Sequence, residues 1–326
     1  MVHGIPSTRR RLRSRGGLAF LALLFALASP QGPDDLHGQE VDFQWDLEEG
    51  ESLVYRMVQE GQSTLGAMGD VTQRQELTMR QDVLGVGADG QLDLRVSYES
   101  LRHEQDGPMG SETFDSQVDD PPEGGELAVV AGLVGRSFEL TIAPWGEVLT
   151  VQGMDGFVNE MAEELARTTP GIDSPQEARG FLEMAVGDEA MAALMEQGIQ
   201  SLPQDPISVG DTWTQAVEVP TAFGNVASEY RYELEEVTEE DGTRIARVRM
   251  DGTMDGLVTD ESVEGPLGQA ADLMEGSEGE LSGSFVFDLD RGRMLHSFVE
   301  SSMVTEAAGQ TIDVQNEFLT ELLEGS

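Results

Sequence analysis

Apolar residues recur at every second position through most of this chain, and that period decides its fold class. Leu53, Tyr55 and Met57 alternate with polar neighbours, as do Leu92, Leu94, Val96 and Tyr98, and then Phe138, Leu140 and Ile142. Successive side chains of an extended strand point to opposite faces, so this alternation buries one face and wets the other, as antiparallel sheets do. Asp89-Gly90 stands between two such runs, where a tight hairpin needs residues that tolerate positive φ.

The period changes in the middle of the chain. Val158, Met161, Ala162 and Leu165 fall at helical spacing. Ser174-Pro175-Gln176-Glu177 then opens a second helix as a capping box with proline at its first position. Its stripe is Ala178, Phe181, Leu182 and Ala185, and a third stripe of Met191, Leu194, Met195 and Gly198 runs to the stop at Leu202-Pro203. Beyond Ile207 the strand pattern resumes and resembles the first stretch. Gly50 and Gly210 each precede an acidic residue and an aromatic-bearing strand, Asp89-Gly90 recurs as Asp241-Gly242, and Gly107-Pro108-Met109-Gly110 as Gly265-Pro266-Leu267-Gly268. Phe138-Glu139-Leu140 leads to Gly146, as Phe285-Val286-Phe287 leads to Gly292. These matches keep their order and nearly keep their spacing, which predicts an internal duplication. Two acidic, Gly-rich stretches, 103–126 and 251–281, are read as loops at equivalent places.

Composition narrows function by exclusion. There is no cysteine, hence no disulfide, no thiol nucleophile and no acylation site of the lipoprotein kind. Every basic residue other than histidine is arginine, which removes the P-loop lysine, Schiff-base chemistry and a Ser-x-x-Lys pair. The net charge of −43 repels nucleic acid and anionic headgroups and favours solubility and cationic counter-ions. Arg9, Arg10, Arg11, Arg13 and Arg15 precede an apolar run from Gly17 to Ala28 that ends on small residues. That is the make-up of a signal peptide over 1–28, too short to span a bilayer, with cleavage expected after Ala28. An uncleaved anchor is the competing reading. A flexible tether at 29–40 follows, and no transmembrane span is expected in the mature chain.

Catalytic signals are thin. His103 and His296 are the histidines of the strand-rich region, and no Gly-x-Ser-x-Gly elbow accompanies them. With so many Asp and Glu, some carboxylate pair always has glycosidase spacing, so that spacing carries no information. Asp288-Leu289-Asp290-Arg291-Gly292 resembles the start of a calcium loop but has Val299 where the twelfth-position glutamate belongs, and reads as a hairpin turn. Trp45, Trp145 and Trp213 form no evident sugar platform and read as packing residues. No metal and no cofactor is expected.

The Gly50–Met57 opening, Gly107-Pro108-Met109-Gly110 running into Phe114-Asp115-Ser116, the phrase Val209-Gly210-Asp211-Thr212-Trp213 and the paired β meanders resemble a family of secreted bacterial proteins known only as a domain of unknown function. The resemblance covers most of the mature chain and implies no activity, cofactor or catalytic residue.

The expected fold class is α+β and β-dominated: two curved antiparallel β-meander sheets, 41–150 and 207–326, related by duplication and joined by an amphipathic helical connector at 151–206. The function expected is that of an exported cell-envelope protein, periplasmic or extracellular. It would be non-enzymatic and bind an apolar small molecule or a protein partner, with Phe181, Leu182, Met191, Leu194 and Met195 as candidate ligand-binding residues. The alternative is a structural or assembly scaffold working through sheet edges and acidic loops, and a carboxylate-based hydrolase ranks third.

Overall fold

The computed structural model describes residues 40–65, 69–108, 110–122, 125–168, 174–198, 202–221, 224–258, 278–307 and 310–325. The expected signal peptide, and the tether apart from Glu40, lie outside the described residues. Among the described residues no helix is long and apolar enough to cross a membrane.

The first meander comprises β1 (Ser52–Leu65), β2 (Asp70–Val86), β3 (Leu92–Gly107), β4 (Gly110–Asp115), helix α1 (Gly125–Gly132), β5 (Ser137–Ile142) and β6 (Val148–Gln152). Helices α2 (Asp155–Thr168), α3 (Pro175–Val186) and α4 (Asp188–Gly198) follow, with Ser174 capping α3 by accepting the Glu177 N–H at 3.2 Å. The second meander is β7 (Thr212–Thr221), β8 (Gly224–Glu240), β9 (Thr243–Val258), β10 (Glu278–Asp288) and β11 (Arg293–Ala307), and β12 (Gln310–Gly325) ends the chain.

The two meanders, expected as separate sheets, are continuous. The spatial order is β6-β5-β3-β2-β1-β12-β11-β10-β9-β8-β7, with β4 pairing the far end of β3. β12 pairs antiparallel with β1 on one side and β11 on the other, so it satisfies two strand edges that separate sheets would leave unpaired. Within each meander the strands follow in the same order and direction. Gly50 and Gly210, Gly90 and Gly242, and Gly146 and Gly292 all have positive φ. The last hairpin of each repeats the same bulge, with Leu149 and Leu295 as the extra residue. A duplicated unit gives this arrangement.

The stretch 103–126 is not a loop. β3 continues to Gly107, β4 returns along it, and α1 starts at Gly125. Its strand character was hidden because the positions sharing one face there are His103, Gln105 and Gly107, which carry no large apolar signal. Likewise β9 extends to Val258 and β10 begins at Glu278, while residues 259–277 lie outside the described residues.

Eleven strands in path order at about 4.8 Å apart would span roughly 48 Å if flat. Yet α4, only about 16 Å long at 1.5 Å per residue, packs on both terminal strands, β6 and β7. The sheet therefore bends round until its two ends meet at one helix, which sits in the seam as α2 and α3 stack behind it. Inside runs an extended strap, residues 41–47, whose alternate side chains Val41, Phe43, Trp45 and Leu47 are buried. Val41 exchanges hydrogen bonds with Ile207 at 2.8 and 3.0 Å. The Trp45 N–H donates to Pro144 O at 2.7 Å, and the Asp46 N–H to Gly292 O at 3.2 Å. The strap thus ties the last hairpin of one meander to that of the other. Gly292 is required there, since a Cβ would lie 2.1 Å from the Asp46 nitrogen.

The seam carries one electrostatic cost. Burial, and then the charge of Glu147, raise the Glu196 carboxyl of α4 above its ordinary value. A raised folded-state pKa means that the ionised form burdens the fold at neutral pH and that the burden lifts as pH falls through the raised value. Glu196→Gln is expected to raise Tm by a degree or so at pH 7 and to match the parent below about pH 4. A gain that persists undiminished at pH 4 would mean that the charge is not the cause.

Candidate functional site

Cross-strand pairing sorts the long strands into rows, because directly opposed residues share a face. On the face toward the strap, the row Leu234–Val248–Phe285–Ser297–Thr320–Met57–Leu77–Leu101 crosses eight strands from β8 to β3. Two residues further along each strand lies Tyr232–Met250–Gly283–Val299–Phe318–Gln59–Gln75–His103. Next come Tyr230–Gly252–Leu281–Ser301–Asn316–Gly61–Gln73–Gln105 and, on seven strands, Ser228–Met254–Gly279–Met303–Val314–Ser63–Val71. None of these positions holds Asp, Glu or Arg. The marginal exception on this face is exposed Glu112 of the short strand β4, opposite Gln105.

The outer face is the reverse, laced with charge. Arg56 donates to Glu76 at 2.8 and 3.0 Å and to Glu321 at 3.2 Å, Arg80 pairs with Glu99 at 2.6 Å, and Arg249 with Glu233 at 2.6 Å. Arg74 pairs with Glu60. The hydrogen bond from Arg56 holds the Glu76 carboxyl below the usual carboxylate range. Such partly exposed pairs contribute about 0–1 kcal/mol each. On the inner face, burial keeps phenols un-ionised: Tyr98 is pushed up to about 12, and Tyr55 and Tyr232 well above the ordinary value.

Among the described residues, apart from a small cluster that α1 forms with Leu77, Leu101 and Phe114, it is the end of the inner space nearest the helices that is filled. There the strap, α2 to α4 and the sheet form one cluster that includes Phe43, Trp45, Tyr55, Phe285, Phe287 and Leu182. Towards the opposite end, the inner positions of β1, β2, β11 and β12 become half-exposed: Gln59, Gly61, Gln73, Val299, Ser301, Met303 and Val314, with Phe318 39% exposed. The principal contacts of α3 and α4 on the sheet are with β6 and β7, away from these central strands. This uncharged, half-exposed stretch of the inner face, the trough, runs about 16 Å, five residues at 3.3 Å, with amides and small residues beside apolar ones.

The helical candidates are placed elsewhere. Leu182, Met191 and Met195 are buried in the core, and the Tyr98 hydroxyl lies 3.8 Å from the Met191 sulfur. Leu194 is 40% exposed; Phe181 belongs to α3, and its side chain lies outside the described residues. A 220 Å³ cavity between β5 and α2, walled by Tyr98, Phe138 and Phe157 with the Arg136–Glu160 pair, is lined by none of the five. His103 is buried opposite Gln75 and Phe114, and His296 sits between Val286 and Glu321. Among the described residues no three His, Asp or Glu side chains converge as a metal site. Asp288 is a turn residue, accepting the Asp290 and Arg291 N–H groups at 3.1 and 2.9 Å. The trough itself escaped the sequence reading, although the run of charge-free alternate positions Gln59, Gly61 and Ser63 beside Glu60 and Gln62 was its signal.

A family described as being of unknown function, DUF6263, matches residues 89–292. The chain belongs to that family. The match takes in the Asp-Gly hairpin at 89–90, the helices and the second meander as far as Gly292, so the DUF6263 unit holds the seam, whereas β1, β2, β11 and β12, which carry the half-exposed inner positions, lie outside it. No curated protein matches the chain. Among solved structures, lipovitellin, described for its lipid–protein interactions, is similar at 11% identity and TM-score 0.47 over 86% of this chain, which spans 26% of the lipovitellin chain. A candidate lipoprotein from Parabacteroides distasonis is similar at 9% identity and TM-score 0.30, over 87% of this chain and all of that one. At these TM-scores neither says what a DUF6263 protein binds.

Proposed function

We propose that this protein is an exported, non-catalytic binder that takes an apolar chain into the open end of its bent sheet. The observation that carries the reading is the charge partition. In a chain of net charge −43 the outer face is strewn with Asp, Glu and Arg, whereas the paired inner positions of the long strands stay free of them beyond the point where the core ends, with Glu112 of β4 at the margin. A face meant only for water has no need of that exclusion, whereas a face that takes an apolar chain does, because an unpaired charge against it is costly. Gly61, Ser63 and Ser301 leave room, and Met57, Val299, Met303, Val314 and Phe318 offer apolar contact. Export rests on the Arg-rich start and apolar run of residues 1–28.

Gentle native mass spectrometry of protein purified from its own host is the test. It is expected to show an N-terminus near Ser29 and a bound long-chain species, and the delipidated protein is expected to take up acyl lipids at about one per chain. Protein that emerges empty and binds no acyl lipid would leave the scaffold reading. That reading draws on the 520 Å³ outer groove lined by Glu60, Arg74, Glu104, Asp106 and Glu317, a surface suited to a polar protein contact.

A further inference from the structure

Among the described residues, the strand ends at the far end of the trough carry one sign of charge on their outer face. The outermost row of outer-face residues includes Glu278, Asp313 and Asp70, and the next includes Glu229, Glu280 and Asp106. Neither row contains an arginine. The first ones, Arg74 and Arg231, stand a row further from the end, and Arg74 is already engaged by Glu60 and Glu76. Just inside this rim the trough wall carries the amides of Asn316, Gln73 and Gln105, neutral groups that can donate to ester carbonyls and accept from hydroxyls.

We propose that the occupant is an acyl lipid whose headgroup carries an ammonium group, and that lipids of net negative charge are discriminated against. This rests on the proposed binding of an apolar chain in the trough. A chain lying against the charge-free rows brings its ester linkage to the amides and its headgroup to the carboxylate rim. An ammonium group is attracted there. An anionic headgroup meets several like charges with no arginine in either row to offset them. At low ionic strength the field of the rim reaches about 30 Å; at 1 M salt it is confined to roughly 3 Å.

Palmitoyl-lysophosphatidylcholine and palmitoyl-lysophosphatidylglycerol share a chain and a phosphate but carry choline or glycerol on it, so titrating both below their micelle-forming concentrations compares a zwitterionic with a net anionic headgroup, and the salt dependence separates charge from the glycerol hydroxyls. The choline lipid is expected to bind roughly tenfold more tightly at 0.01 M salt, with the ratio falling towards one at 0.5 M. The combined Asp70→Asn, Asp106→Asn and Asp313→Asn variant is expected to narrow the ratio at low salt. The salt titration of the parent protein answers the question even if that variant folds poorly. Equal binding of the two lipids at low salt would overturn the headgroup inference and leave the apolar-chain reading standing, whereas binding of neither would overturn both.

Discussion

Replacing Phe43 by alanine is expected to destabilise the protein by about 3–5 kcal/mol, the usual range for removing a fully buried phenylalanine. Phe43 is 1% exposed, with its ring centroid 5.7 Å from that of Phe287 and 6.2 Å from that of Trp213. Next to it, Trp45 meets Phe287 edge-on at 5.6 Å. These contacts join a segment from the start of the described chain to β10 and β7 of the second meander, so the cavity would open where the strap holds both halves. A Tm fall of the order of 10 °C follows for a domain of this size. Phe43→Leu, which refills much of the volume, is expected to recover more than half of the loss. A Tm within 2 °C of the parent for Phe43→Ala would show that the strap rests on the sheet without bracing it.

The strap also shows where sequence reading stops. Val41, Phe43, Trp45 and Leu47 alternate as a strand does, but the segment joins no ladder of the sheet; its backbone partners are Ile207, Pro144 and Gly292, each from a different element. Alternation announces a buried face without saying what covers it. The meanders were legible because Asp-Gly turns and period-two runs are local signals, and α3 because Ser174 and Pro175 mark its start. The fusion into one sheet was not legible, because it depends on β12 pairing with a strand some 250 residues away, and its own sequence names no partner. The helical stripes are apolar, as their spacing implies, but a stripe that lines a ligand and a stripe that fills a seam look alike in sequence. Leu182 and Met191 fill the seam. The trough is the opposite case: its lining of Gly, Ser, Gln and Asn looks like loop composition until cross-strand pairing places those residues in rows beside Val299, Met303 and Phe318.

That pairing yields a sharp comparison between adjacent residues. Ser301 and Ser302 of β11 are chain neighbours on opposite faces: Ser301 lies in the trough between Leu281 and Asn316, and Ser302 outside between Glu280 and Gln315. Ser301→Asp is expected to weaken binding of a neutral acyl lipid such as monopalmitoylglycerol by 100-fold or more, whereas Ser302→Asp leaves it within about twofold. The reason is desolvation. A carboxylate at 301 must either lose its water against the chain, at a cost of several kcal/mol, or take up a proton. Since Ser301 is half-exposed in the lipid-free protein, the new charge stays hydrated there and Tm is expected to change by no more than a few degrees. The same argument fixes the pH dependence. Desolvation by the bound chain raises the pKa of the introduced carboxyl, so binding to the Ser301→Asp variant is expected to recover as pH falls from 7 towards 4, while the parent changes little. Fluorescence titration of the three proteins across that pH range measures both effects. Equal affinities for Ser301→Asp and Ser302→Asp at pH 7 would remove the trough as the binding site.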